Sequence, residues 1–390
     1  MERLGENIRF ESIDQLRGLV IILMALDHTR DFFSPFQYAP EDLMQTTPEL
    51  FFTRWITHFC APVFVLLTGF STFLFENKGN NKKTVRNFLL SRGIWLIFIE
   101  LTVVNVSWMF SFNNSYFLQV IWVLGVSMII LAGLIYLPKV IIMFLGMSLI
   151  LFHNAFDTVN ASRFGDYSWL WGIIHQPMWV PFNESGSGVY IAYPLLPWIG
   201  VMAIGYAAGQ WLFSDKSWFI KKTLSLGVLL TVSFLLLRFT NLYGDPVIWQ
   251  SQARGTVYTV LSFLNTQKYP PSLLYLMMTI GPALILLAWL TKTKTIVSQQ
   301  LTYFGRVPFF FYVLHVPFIH FLAAIYFLLT LDFYSANWQL LGANAFPKGY
   351  TPNLLTTYIA WGSVIFLMFF ACKWFGNIKR TYNHWLLKYL

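Results

Sequence analysis

Long apolar stretches alternate with short polar ones along the whole chain. Ten of them are long enough to cross a bilayer as tilted α-helices. The predicted spans lie near residues 14–33, 55–75, 88–110, 116–137, 139–156, 189–212, 220–242, 271–291, 308–330 and 353–375. We therefore predict an all-α polytopic membrane bundle that forms one transmembrane domain, residues 1–390.

Composition and charge agree with this class. Hydrophobic residues make up 56% of the 390 residues and charged residues only 11%, whereas a soluble domain averages about 25% charged residues. Most of the 26 basic residues fall on the side of the two termini, so the positive-inside rule predicts cytoplasmic termini. The net charge of +9 then reflects topology and does not indicate nucleic-acid binding.

The first span is the leading candidate for a functional site because it carries charges that lipid would not tolerate. Arg17 and His28 are 11 positions apart. They therefore share a helical face and lie roughly 16 Å apart along the axis. Asp14 and Asp31 fall near the same stripe. Such charges usually face a protein interior or a wet cavity.

His28 is the predicted catalytic residue, since an imidazole can accept a proton near neutral pH. Asp31 follows three residues later and could orient it, the alternative being a His–Asp pair that faces water. Asp27 is expected to pair with Arg30. His58 begins the second span, where it either assists catalysis and places the substrate or is a packed polar residue.

Arginines at the other end of the bundle predict an anion-binding mouth. Arg17, Arg86 and Arg92 have guanidinium groups that suit a phosphate or a carboxylate. Two alternatives remain open at this point. Arg17 could instead pair with Asp14 at the start of the helix, and the mouth could attract anionic lipid headgroups.

Two titratable residues lie inside later spans. Glu100 is expected to form a structural ion pair with Arg17 or Arg92, or else to carry protons. Pro317 frees the backbone carbonyl of Val313, which either His315 or a water satisfies, and the other interpretation of His315 is a packed structural histidine.

No metal site is predicted. The chain has no HExxH motif and no cysteine cluster, and its histidines are far apart in sequence. His153 and His175 are interpreted as loop or interface residues. Cys60 and Cys372 lie in apolar segments and are predicted to be free thiols.

Four segments closely resemble bacterial membrane proteins related to heparan-α-glucosaminide N-acetyltransferase. They are Ser12–Asp31 (SIDQLRGLVIILMALDHTRD), Phe51–Phe70, Phe263–Pro282 and Phe304–His320. The resemblance implies an acyltransferase of ten or eleven helices in the bacterial inner membrane. It would take an acyl group, with acetyl expected, from cytoplasmic acyl-coenzyme A and deliver it to a sugar on the far side.

A more distant resemblance supports the same residues. Acyltransferase-3 O-acyltransferases carry a DxLR segment and a functional histidine 11 residues after its arginine, which correspond to Arg17 and His28. Val63–Phe70 also resembles their FFVLSGF segment, with Thr68 at the serine. The lysosomal acetyltransferase differs, because it has asparagine at the position of His28 and a catalytic histidine in the next loop, whereas residues 34–50 contain none.

The favoured hypothesis is thus an acyl-coenzyme-A-dependent transferase in which His28 is a base or an acyl carrier. Its expected partners are membrane lipid, a glycan or other small acceptor and, as an option, a second copy of the chain. A transporter or flippase is the alternative, since Pro-containing spans such as 192–200 suit alternating access. A catalytically silent scaffold is the third interpretation.

Overall fold

The computed structural model describes residues 10–34, 38–110, 115–183, 186–212, 215–331, 350–382, 384 and 387. Within these ranges the helices are α1 Glu11–Phe33, α2 Pro48–Trp55, α3 Cys60–Asn77, α4 Lys82–Ile99, α5 Asn105–Met109, α6 Val120–Leu134, α7 Lys139–Phe152, α8 Ser168–Ile174, α9 Leu195–Leu212, α10 Lys216–Thr240, α11 Thr256–Leu264, α12 Leu273–Lys292, α13 Ile296–Arg306, α14 Pro308–Thr330 and α15 Leu354–Thr381. The strands are β1 Ser115–Leu118, β2 Met178–Pro181 and β3 Gly188–Ile191.

Every predicted span coincides with a helical stretch, which confirms the polytopic all-α bundle. In the described ranges, eight helical stretches are long and apolar enough to cross a membrane. α6 is apolar but shorter, and α1 is long enough but carries the charged residues discussed above. The side on which the termini lie stays a prediction. Most of the connection at 331–352 falls outside the described residues.

α13 was not predicted, because the sequence placed its residues in a connection. It starts with a capping box between Thr295 and Ser298 and packs against α1 with almost no side chains between the backbones. A Cβ added at Gly18 would lie 2.0 Å from the carbonyl oxygen of Leu301, and one at Gly305 would lie 1.7 Å from that of Asp14. Glycine at both positions therefore lets α13 support the charged start of α1.

The third span contains a π-helical turn, Glu100–Val104, between α4 and α5. The buried carboxylate of Glu100 accepts hydrogen bonds from the backbone N–H groups of Gln119, at 3.3 Å, and Trp122, at 3.0 Å. It therefore caps the start of α6. The expected ion pair with Arg17 or Arg92 is wrong, because backbone donors take the place of a cation.

A small sheet joins the connections beside the His28 end of α1. β3 is its central strand and pairs in parallel with β1 and antiparallel with β2. The chain leaves β3 through Tyr193 and enters α9. The sheet therefore positions Tyr193, although the sequence pattern gave no sign of strands here.

Candidate active site

Two neighbouring cavities lie along α1. The larger has a volume of about 300 Å³ and is lined by Arg17, Phe64, Thr68, Ser71, Thr72, Phe88, Arg92, Leu96, Val120, Ile121, Leu124, Met128, Pro308, Phe309 and Tyr312. The smaller has a volume of about 40 Å³ and is lined by Met24, Asp27, His28, Thr57, Cys60, Ala61, Phe64, Gln119, Val120, Tyr193 and Lys268. Phe64 and Val120 line both cavities and so mark where the two adjoin; we call these two residues the partition.

Arg17 brings a fixed positive charge to the wall of the larger cavity. Its guanidinium donates to Asp14 Oδ1 at 3.2 Å, to the carbonyl oxygen of Gly305 at 3.4 Å and to Ser71 Oγ at 2.8 Å. The pairing with Asp14 that the sequence left open is therefore present. It coexists with exposure to the cavity, because the same side chain lines it.

Arg92 is the second arginine of this wall. Its guanidinium lies 5.1 Å from the ring centre of Phe88, which lines the same cavity. Arg86 does not line either cavity and instead donates to Asn87 Oδ1 at 3.0 and 3.2 Å. Six residues on a helix turn the face by about 120°, so Arg86 cannot share the face of Arg92 and the expected mouth loses one arginine.

His28 is hydrogen-bonded to His315, which the sequence did not place beside it. His28 Nδ1 lies 2.7 Å from His315 Nε2, and the rings stack with their centres 4.9 Å apart. His315 Nδ1 lies 2.7 Å from the carbonyl oxygen of Tyr312 and 3.1 Å from that of Phe311. His315 therefore pairs with the carbonyls of Tyr312 and Phe311 and not with that of Val313, so the expectation that it satisfies the carbonyl freed by Pro317 is wrong.

These contacts fix the tautomers of both rings. A carbonyl can only accept, so His315 Nδ1 must carry hydrogen. We assign the fully buried His315 ring as neutral, because a buried charge without an anionic partner is costly. His315 Nε2 is then an acceptor and His28 Nδ1 the donor, by this network assignment. In its neutral form His28 then has its lone pair on Nε2, and His28 lines the smaller cavity.

Asp31 does not orient His28 as expected. The Asp31 carboxylate lies 2.5 Å from Arg30 Nη2. Because the arginine charge is a stronger partner than a neutral imidazole, Asp31 pairs with Arg30 and not with the His28 ring. The orienting role falls to His315 instead. Trp108 adds an edge-on contact, with its ring centre 5.0 Å from that of His28.

A network of alternating charges surrounds the His28 end of α1. Asp27 pairs with Arg30 at 3.1 Å, which confirms that expectation, and also contacts Arg54. Arg54 Nε donates to Glu41 Oε1 at 2.8 Å. Burial alone would raise the pKa of Glu41, but the Arg54 charge and the hydrogen bond to His58 outweigh it and hold that pKa well below its ordinary range.

The structure favours the packed interpretation of His58. The side chain is 2% exposed, and its Nε2 lies 3.4 Å from Glu41 Oε1. Its ring packs against Tyr275, with the centres 5.5 Å apart. His58 does not line the smaller cavity, whereas His28 does.

Lys268 and Tyr193 are wall residues that the sequence interpretation missed. Lys268 lines the smaller cavity with Asp27 and His28, and its Nζ lies 5.1 Å from the ring centre of Tyr269. Burial acts to raise the pKa of Tyr269, yet the nearby charges of Lys268 and Arg54 lower it below its usual value. The sequence feature that could have identified Lys268 is its position as the single lysine of the connection 243–270, which has few charges.

The comparison with family models gave one relevant match. The model described as heparan-alpha-glucosaminide N-acetyltransferase, catalytic, matches residues 9–236, more than half of the chain. The matched region includes Arg17, His28 and Arg92 and ends before Lys268 and His315. Among curated proteins, no match to the chain was found.

Proposed function

The chain belongs to the heparan-α-glucosaminide N-acetyltransferase family of membrane acetyltransferases, and from this we propose that it transfers an acyl group from acyl-coenzyme A to a sugar. The acyl group is acetyl, and the acceptor is a hydroxyl or an amine of a glycan or another small molecule. Donor and acceptor enter from opposite ends of the bundle. Only the acyl group then has to pass between them.

The pair of adjoining cavities is the observation that carries this proposal. The larger one has two arginines, Arg17 and Arg92, that can bind the phosphates of a long donor, and its volume of about 300 Å³ accommodates part of that donor. The smaller one holds His28 and Lys268. Since Phe64 and Val120 line both, a displacement of these two side chains would join donor and base.

His28 acts as the general base. Its Nε2 takes the proton of the acceptor hydroxyl or amine while the acceptor oxygen or nitrogen bonds to the thioester carbon. The carbon–sulfur bond then breaks, and His28 returns the proton to the leaving thiolate. His315 keeps Nε2 unprotonated beforehand, and the ammonium group of Lys268 offsets the negative charge that develops on the carbonyl oxygen.

A transient acyl-His28 is a variant of the same chemistry. In that route Nε2 bonds to the thioester carbon while the carbon–sulfur bond breaks, and coenzyme A leaves as the thiolate. The acceptor oxygen or nitrogen then bonds to the acyl carbon as the bond from that carbon to Nε2 breaks, and the acceptor proton neutralises the thiolate. Both routes use the same lone pair.

We place the Arg17 end of α1 at the cytoplasm and the His28 end at the far side of a bacterial inner membrane. The roughly 16 Å between these residues along α1 is a distance that an extended pantetheine arm covers. Lipid surrounds the exposed helix faces. The whole chain acts as one transmembrane unit.

The test compares two histidines, His28 and His320. Purified wild type, His28→Gln and His320→Gln are assayed with acetyl-coenzyme A and a set of sugars that includes glucosamine, and acetyl-coenzyme A binding is measured by calorimetry. His28→Gln should lower kcat by roughly 10²–10⁴-fold with unchanged donor affinity. His320 contacts the Ser107 carbonyl at 3.2 Å and lines neither cavity. His320→Gln should therefore retain the wild-type kcat and the wild-type donor affinity. Unchanged turnover in His28→Gln would refute the base, and a wild type that does not bind acetyl-coenzyme A would favour the transporter.

A further inference from the structure

A second group of histidines lies away from both cavities. His153, Asp157 and His175 bring one donor atom each to within 4.8 Å of one another. His153 is 1% exposed, and neither of its ring nitrogens has a hydrogen-bond partner in the described part of the chain. The Nδ1 atom of His175 is buried and lacks one as well.

Local structure explains how these residues meet. His153 and Asp157 lie at the two ends of the 3₁₀ turn that continues α7, and His175 directly follows α8. His175 Nε2 lies 3.1 Å from Asp157 Oδ1. Asn154 Nδ2 donates to Asp157 Oδ2 at 2.8 Å, so the carboxylate is held in orientation by a neighbour.

We propose that His153, Asp157 and His175 bind a Zn²⁺ ion at a site separate from the acyl-transfer cavities. A buried ring nitrogen without a partner is costly, and a metal ion would satisfy one such nitrogen of His153 by accepting its lone pair. Two imidazoles and one carboxylate with a water as fourth ligand are a recurring zinc set. The hydrogen bond from Asn154 to the carboxylate is the outer-shell support that such sites carry.

The geometry is close to that of a bound state. Zinc bonds of about 2.0–2.2 Å place tetrahedral donors about 3.4 Å apart. Asp157 and His175 already match this separation. Rotation of the His153 ring would move its donor nitrogen closer to the other two donor atoms, which lie within 4.8 Å of it.

The ion would tie the end of α7 to the connection after α8. That connection leads through β2 and β3 to Tyr193, which lines the smaller cavity. The sequence predicted no metal site, because 22 positions separate the two histidines. Folding removes that objection by bringing both rings to one place, with their centres 5.7 Å apart.

The test measures metal binding in the full-length protein, purified in detergent without a polyhistidine tag and stripped with a chelator. Co²⁺ and Zn²⁺ serve as probes. Wild type should take up about one ion per chain, and bound Co²⁺ should give the intense visible bands of tetrahedral coordination. His153→Gln, Asp157→Asn and His175→Gln should each lose that ion. Asn154→Ala should bind it roughly 10–100-fold more weakly.

The matched control is His384→Gln, which changes an exposed histidine near the C-terminus and should bind like wild type. Zn²⁺ should also raise the melting temperature of wild type and His384→Gln but not of His175→Gln. A wild type that takes up no Co²⁺, or equal uptake in His153→Gln, would overturn the site. Neither readout depends on acyl transfer, so failure here leaves the proposed function standing and the reverse is equally true.

Discussion

The two cavities along α1 share a wall but differ in almost every other respect. The larger is mostly apolar, with two arginines among its lining residues. The smaller has less than a sixth of the volume and is lined by an aspartate, a histidine and a lysine. The larger cavity has space and positive charge that attracts anions over a distance, whereas the smaller cavity has polar groups that hydrogen bonds hold in place. Volume suits binding, and fixed polar groups suit chemistry.

This contrast has a kinetic counterpart. Changes to the wall of the larger cavity should act on donor binding and hence on KM. Changes around the smaller cavity should act on kcat. A larger-cavity variant that changes only kcat, or a smaller-cavity variant that changes only KM, would contradict this division of roles.

The largest of the further effects is expected at His315, which positions His28. His315→Leu removes the acceptor for His28 Nδ1, so the ring can place its hydrogen on Nε2 and lose the base. We expect kcat to fall by about 10²-fold, with KM unchanged. His315→Gln retains a side-chain oxygen that can accept the hydrogen bond and should recover part of the activity. Equal losses in both variants, or a change confined to KM, would contradict the positioning role.

Arg92 tests the larger cavity. Arg92→Met removes a charge-assisted contact to the donor phosphates, so KM for acetyl-coenzyme A should rise about 10-fold while kcat stays near its wild-type value. Arg86→Met is the matched control, because it removes the same charge from another face of α4. Equal KM values for the two variants would show that the effect is non-specific attraction.

Phe64 tests the partition. Phe64→Leu shortens a side chain that lines both cavities and should ease passage of a longer acyl group. Relative to acetyl, kcat/KM for a butyryl donor should rise by about threefold. An unchanged ratio would mean that Phe64 does not restrict the passage.

The smallest effect concerns acid stability at the charge network around the His28 end of α1. The pKa of Glu41 is lowered in the folded protein, so its stabilising contribution is present above the ordinary glutamate range and is lost as pH falls through the folded pKa. The melting temperature of wild type should therefore fall on acidification. The melting temperature of Glu41→Gln should fall by roughly 1–2 °C less. Asp42→Asn, the adjacent residue, should behave as wild type. An acid dependence that is identical in Glu41→Gln would exclude this contribution.

The sequence was sufficient for features with local causes. Hydropathy located each span, since the length of an apolar helix is set by the bilayer. Helical periodicity placed Arg17 and His28 on one face, and both line a cavity. The Asp27–Arg30 pair also followed from spacing along one helix.

Features with long-range causes were missed. His28 and His315 are 287 positions apart, and no pattern within α1 or α14 indicates their pairing. The spacing of His28 and Asp31 allowed a contact, but Arg30 competed for the same carboxylate. Glu100 likewise found backbone donors at the start of α6, which only the packing of the third and fourth spans reveals.

A structure with a non-hydrolysable acetyl-coenzyme A analogue tests the central claim most directly. We predict that the phosphates contact Arg17 and Arg92, that Phe64 and Val120 move apart, and that the acetyl group lies in the smaller cavity beside His28 Nε2. An analogue whose acetyl group stays in the larger cavity behind a closed partition, or whose phosphates bind away from both arginines, would contradict it.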